Sequence, residues 1–422
     1  MKNTLRFIRN GIQFQYLLLT LTYIATFLLV IMFEPNFSGA LLDSKFYINE
    51  FLKSNWSTFY EQSDYSVASS PIFMWLFGSI VKLFGNFKIP FVHMSYFLFS
   101  ALSIFFITKL VSNLKLRFII LFSLFTNAYF IAPTISPTSD IPSFCFALMS
   151  LFFFKTKNKA WLSFSLFCLI STRQVYVWLI IYFIVIEMMQ TKRKFQTILG
   201  NLLVYIPSFL SLLFTYIFFG NSFTPKSYVL VNTKFEFQIP NFSSLLQLEI
   251  SIFFQILAFT ILINWQRDEI GIPKYLVGLL LLVILNTLII FTVNFDKLDQ
   301  QGLGWLSLFS IYFFFPTLFI VGFSSLGSFL FVYMVRYLKR PLYPALFLLA
   351  IFSIISLLMP IPFLRYFALP VWLILFICLF ENGLSNFEVN TRNFGLENYL
   401  RYKYVYLALI YLAAVNWSAI VL

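Results

Sequence analysis

The chain reads as long apolar runs broken by short polar joints. Apolar stretches near 14–33, 89–109, 116–132, 138–154, 160–172, 174–190, 197–219, 246–264, 274–294, 342–359, 364–381 and 403–421 recur from end to end, and 304–338 leaves room for one or two more. The runs are continuous rather than alternating, so they specify helices and exclude a transmembrane β-barrel. A bilayer takes roughly 20 apolar residues to cross, so the pattern predicts an all-α, polytopic integral membrane protein with about 12–14 transmembrane helices. The run 71–85 is shorter and suits a helix lying in the interface. In the first polar stretch, 34–70, Phe46, Tyr47, Phe51, Trp56 and Phe59 recur at spacings expected of amphipathic surface helices. One domain, 1–422, is expected: a core module over 1–220 that carries the 34–70 loop, and a variable helical module over 221–422.

Composition agrees. Of 422 residues 60% are hydrophobic, 59 are Phe and 11% are charged, far below the roughly 25% charged residues of soluble domains. The first run is too long for a signal peptide and no small-residue cleavage site follows it. Cys145, Cys168 and Cys378 all fall inside apolar runs, where they suit small buried hydrophobes better than a disulfide framework. His93 is the sole histidine, so a multi-His metal site is excluded. No metal and no cofactor is expected, although a divalent ion stays open.

The net charge of +13 could suggest nucleic acid. Laying the spans out with Lys2, Arg6 and Arg9 inside puts 20 of the 29 basic residues on the cytoplasmic side, while most of the acids go to the outer side. The excess is therefore the positive-inside signature, and nucleic acid is not needed as a partner.

The same sorting collects polar residues on the non-cytoplasmic face. The 34–70 loop carries Glu34, Asp43, Glu50, Glu61 and Asp64, the joint PTISPTSDIPS carries Asp140, and Arg173 sits where two short runs meet at Ser171-Thr172-Arg173. Lys226 lies in a later outer loop and Arg365 at the outer end of a late span. Each has a plain reading beside the functional one. An outer-loop acid is usually just solvated, Asp140 equally suits a helix N-cap, and Arg365 equally suits snorkelling to headgroups. Arg173 is harder to dismiss, because a charge amid apolar sequence at membrane depth marks a site or a partner.

Carboxylates and guanidiniums around an outer, membrane-facing cavity suit a sugar donor whose leaving group is a lipid phosphate. Arginine binds phosphate bidentately, and a carboxylate can take the proton of an attacking hydroxyl. Four stretches also carry a resemblance. DSKFY (Asp43–Tyr47) is similar to an Asp-Glu-x-Phe-His element, and SSPIFMWLFG (Ser69–Gly78) to Thr-Thr-x-Pro-Gly-x-Tyr. TRQVYVW (Thr172–Trp178) is similar to Phe-Arg-Gln-Thr-Asn-Ile-Ile-Trp, and LRYFALP (Leu364–Pro370) to Phe-Arg-Tyr-Phe-x-Leu-Pro. In this order they resemble the GT-C glycosyltransferases, most closely the dolichyl-phosphoglucose-dependent α-1,2-glucosyltransferase family of the N-glycan pathway. Ser44 and Tyr47 stand where that family has Glu and His, and its late Asp-Asn-Arg-His-Tyr stretch has no counterpart.

The resemblance implies a polyprenyl- or dolichyl-phosphate sugar donor, a glycan acceptor carried on lipid, and a site on the non-cytoplasmic face of the inner or endoplasmic reticulum membrane. It implies Asp43 as the base, with Arg173, Arg365 and, more weakly, Lys226 at the donor phosphate. Asp140, Tyr47, Gln174, Tyr366 and Asp64 are the candidate substrate contacts. A lipid-linked oligosaccharide transporter or flippase is the rival class, as is a different GT-C transferase. Transporters show paired interrupted helices in two halves, and no such symmetry is visible here.

Overall fold

The computed structural model describes residues 42–53, 67, 69–112, 137–190, 202–221 and 364–381, with short pieces between 117 and 134, at 223, and between 248 and 355; the side chains of 42–46, 189–190, 364–366 and 378–381 lie outside the description. Among the described residues 89% are helical and no strand occurs, so the all-α expectation holds. The helices are α1 (Leu42–Lys53), α2 (Pro71–Lys82), α3 (Lys88–Leu110), α4 (Asp140–Lys155), α5 (Lys159–Thr172), α6 (Val177–Gln190), α7 (Ile206–Phe218) and α8 (Leu364–Glu381). Short 3-10 turns lead into three of them, at Gly85–Phe87, Gln174–Tyr176 and Leu203–Tyr205.

Helix starts follow local chemistry. Ser70 caps α2 by accepting from the Ile72 amide at 3.4 Å, with Pro71 as the first helical residue. Asn158 caps α5 by accepting from the Trp161 amide at 3.3 Å. Pro90, Pro142 and Pro207 fall in the first turns of α3, α4 and α7, where a missing N–H costs no intrahelical bond. The tight α4–α5 joint turns on Lys157, held at φ 57°.

The core is a bundle in which α4 packs on α5 and α3, α7 packs on α5, and α1 packs on α2. Small hydroxyl residues let these helices approach. Ser150 of α4 donates to the Phe146 carbonyl and meets Ser165 of α5 at 3.0 Å, the close small-residue contact that tight apolar helix pairs use. Phe51 of α1 is buried among Phe73, Phe77 and Tyr96. Phe144 of α4 stands edge-on to Trp372 of α8 at 5.3 Å and to Phe130 at 5.9 Å, tying the late helix to the early ones.

Two helices expose apolar side chains while burying hydroxyls among the apolar core. On α3 the inward residues include Tyr96, Ser100 and Ser103, while Met94, Leu98, Leu102 and Phe105 point outward. On α7 Ser208, Ser211 and Thr215 are buried and Phe209, Leu210, Leu213 and Ile217 are exposed. Gly85–Leu110 is the one described segment both long and apolar enough to cross a membrane, at 26 residues. At 14 residues, α5 spans about 21 Å, short of a roughly 30 Å hydrocarbon layer.

The expected runs at 89–109, 138–154, 160–172, 174–190 and 364–381 correspond to α3, α4, α5, α6 with its leading 3-10 turn, and α8. Within 197–219 the helix occupies Ile206–Phe218. The run 71–85, expected as a helix lying in the interface, holds α2, which buries Phe73, Met74, Trp75, Phe77 and Val81 against the bundle and leaves Leu76 and Ile80 exposed. The runs at 14–33 and 403–421 lie outside the described residues, and those at 116–132, 246–264, 274–294, 304–338 and 342–359 largely so.

Replacing Phe144 with Ala is expected to cost about 3–5 kcal/mol, the usual range for emptying a fully buried aromatic site, read as a lowered unfolding midpoint of the detergent-purified protein.

Candidate functional site

Arg173 ends α5. Its amide donates to the Leu169 carbonyl at 2.9 Å, and its backbone is extended (φ −154°, ψ 109°), which breaks the helix before the Gln174–Tyr176 turn. The guanidinium forms an ion pair with the carboxylate of Asp140, the first residue of α4, and the two side chains are 12% and 5% exposed. The pair joins the end of one short helix to the start of another.

Asp140 is held from both sides. Its Oδ1 meets the guanidinium through Nη1 and accepts no hydrogen bond otherwise, while Thr138 Oγ1 donates to Oδ2 at 2.8 Å. The position at the N-terminus of α4 places the negative charge at the favourable end of the helix dipole. Ser143 donates to the Asp140 carbonyl at 2.9 Å and is hydrogen-bonded with Tyr176, which lies under the field of Arg173. The capping alternative is thereby replaced: Ser139, not Asp140, occupies the cap position, and it makes no side-chain cap bond.

The first-loop helix reaches the same place. Tyr47 of α1 is buried, its hydroxyl 3.0 Å from Ser139 Oγ, and it accepts from Ser69 at 3.3 Å. A second chain of hydroxyls runs behind it. Thr215 donates to Ser70 at 2.7 Å, and Ser211 lies 2.8 Å from Ser171, two residues before Arg173. All of these groups are buried, as polar groups in an apolar interior must be when they are hydrogen-bonded to one another. The starts of α2 and α4, the end of α5 and the inner face of α7 therefore meet around Tyr47.

Of the candidate residues, Tyr47, Asp140 and Arg173 are brought together. Gln174 follows Arg173 directly and is half-buried. Asp43 lies in the first turn of α1, one turn before Tyr47, and positions 43, 47 and 50 share one side of a helix by their spacing. Glu50, on that stripe, is buried. Arg365 and Tyr366 lie in the first turn of α8, with side chains outside the described residues. Asp64 and Lys226 lie outside them altogether.

Sequence reading passed over Thr138, Ser139, Ser143, Tyr176, Ser69, Ser70, Ser171, Ser211 and Thr215. Their signal was present as hydroxyl clusters in PTISPTSDIPS and SSP beside prolines. Among the described residues no three His, Cys, Asp or Glu side chains cluster to hold a metal.

Removing one member of a buried ion pair strands the other charge, at a typical cost of about 3–5 kcal/mol. Arg173→Met is expected to lower the unfolding midpoint accordingly, and adding Asp140→Asn to recover part of that loss; equal midpoints for Arg173→Met and wild type would refute the pairing. No protein-family model, curated protein or solved structure matches the chain, and the chemistry of the site rests on its own residues.

Proposed function

We propose that the chain is a multi-pass membrane glycosyltransferase that moves a hexose, glucose favoured, from a polyprenyl-phosphate donor to a hydroxyl of a lipid-linked glycan. The observation that carries this reading is the convergence of α1, the Asp140 turn and Arg173 in a bundle that exposes apolar stripes. Exposed apolar stripes on α3 and α7, with hydroxyls turned inward, favour lipid rather than water as the surrounding solvent, since soluble proteins rarely expose contiguous apolar patches of that kind. The alternation of basic joints favours the non-cytoplasmic face for this site.

The chemistry is a single displacement. The acceptor hydroxyl attacks the anomeric carbon, the bond from that carbon to the phosphate oxygen breaks, and the pair of electrons leaves with the lipid phosphate. Asp43 takes the hydroxyl proton as the new bond forms, and one displacement inverts the anomeric centre. Guanidinium groups stabilise the departing phosphate, where donors fixed in advance are worth most. Arg173 is fixed by Asp140, and so it meets the phosphate without first being ordered. Arg365, at the start of α8, and Lys226 supply further positive charge. Tyr47, one turn from the base, orients the acceptor through the Ser139 and Ser69 hydroxyls, and Gln174, Tyr366 and Asp64 complete the sugar contacts.

In proteoliposomes with a radiolabelled polyprenyl-phosphate hexose, Asp43→Asn is expected to lower transfer by roughly 10²–10⁴-fold, the span of a lost general base, with the unfolding midpoint unchanged. Wild-type transfer by that variant would refute the assignment of the base. Movement of the labelled lipid across the bilayer with its sugar still attached would instead indicate a flippase.

A further inference from the structure

The later part of the chain holds a second polar cluster, separate from the Asp140–Arg173 site. Asn286, Ser324 and Ser325 are fully buried, and Asn286 Nδ2 donates to both serine hydroxyls at 3.1 Å. Glu249 lies beside them, its carboxyl within reach of Asn286, Ser324 and Ser328. The cluster is short of donors. Ser324 has one hydroxyl proton, and that hydroxyl donates to the Val321 carbonyl at 3.2 Å. Glu249 Oε2 and Asn286 Oδ1 are both buried and accept no hydrogen bond. Among the described residues no Lys or Arg is paired with Glu249.

Two orphaned acceptor oxygens beside two buried hydroxyls form a surplus of negative potential. A buried carboxylate without a counter-charge costs more than such a cluster returns, and the groups that persist are neutralised or hold a cation. The donors are all oxygen, which suits hard ions and excludes metals that select sulfur or imidazole. One carboxylate supplies one negative charge, matching a monovalent ion, whereas Ca²⁺ sites of useful affinity draw on more carboxylate charge.

We propose that Glu249, Asn286, Ser324 and Ser325 form a binding site for a small alkali cation of sodium size, held between Glu249 Oε2 and Asn286 Oδ1 with the serine hydroxyl oxygens beside it. The site lies apart from Asp43, Tyr47 and Arg173 in the chain, and it stands whether or not the protein transfers sugars. Its occupant stabilises the packing of the segments around 249, 286 and 324 by binding the folded state alone.

The test is the unfolding midpoint of the full chain in detergent, at fixed pH and ionic strength, in NaCl, KCl or choline chloride. A ligand that binds only the folded state raises stability logarithmically once its concentration passes the dissociation constant. The expected result is a midpoint that climbs with NaCl replacing choline chloride, less so with KCl, and a climb abolished in Glu249→Gln and Asn286→Ala. If those variants do not fold, Ser325→Ala is expected to shift the rise to higher sodium concentration. Identical wild-type midpoints in NaCl and choline chloride overturn the proposal, as does an undiminished sodium response in the variants that fold. So does a rise reproduced in choline chloride merely by lowering the pH with no further effect of sodium, which makes the occupant a proton.

Discussion

The bond between Asp140 and Arg173 organises what surrounds it. Neither charge could be left alone at that depth, since an unpaired ion in an apolar interior costs several kcal/mol even after relaxation. Each therefore requires the other, and the requirement fixes where α4 begins and α5 ends. With those termini fixed, the turn before α4 presents Thr138 and Ser139, and Ser139 gives α1 its polar anchor through Tyr47. A single electrostatic demand thus positions α1 relative to the α4–α5 hairpin. That coupling is why the candidate base and the candidate phosphate ligand belong to one discussion, although 130 residues of sequence part Asp43 from Arg173.

The helix surfaces follow a common pattern: α3 and α7 turn apolar side chains outward while placing serines and a threonine inward. Hydroxyls in the interior satisfy one another or return to their own helix, as Ser103 does with the Phe99 carbonyl and Thr215 with the Ser211 carbonyl. Such local bonds weaken a solvated helix slightly, but in a buried interior they remove the cost of an unmet donor. The helices consequently hold their polar faces against each other with little need for charge, and the few charges that do enter are informative.

Much of the architecture was legible from hydrophobic runs alone. The α8 boundaries coincide with the run at 364–381, and the hairpin meeting at Ser171–Arg173 was visible because its two runs were too short to hide a charge between them. Arg173 stood out for the same reason. Its pairing with Asp140 did not, because pairing across 33 residues leaves no trace in periodicity, and Asp140 beside a proline reads equally well as a cap. The hydroxyl chain from Ser70 to Thr215 and from Ser211 to Ser171 was illegible for a further reason: in a Phe- and Leu-rich sequence, serine carries no indication of which neighbour it will face.

The prolines at the starts of α2, α3, α4 and α7 have a consequence for how such a monotonous sequence finds one register. A chain of near-identical apolar segments could slide by a turn and bury almost the same area. A ring that locks φ and removes the N–H that would bond four residues back keeps a helix from lengthening by more than about a turn upstream of it. Pro71, Pro142 and Pro207 therefore act as indexing stops, and the hydroxyls just upstream or downstream of them reach their partners because slippage has been closed off before packing begins.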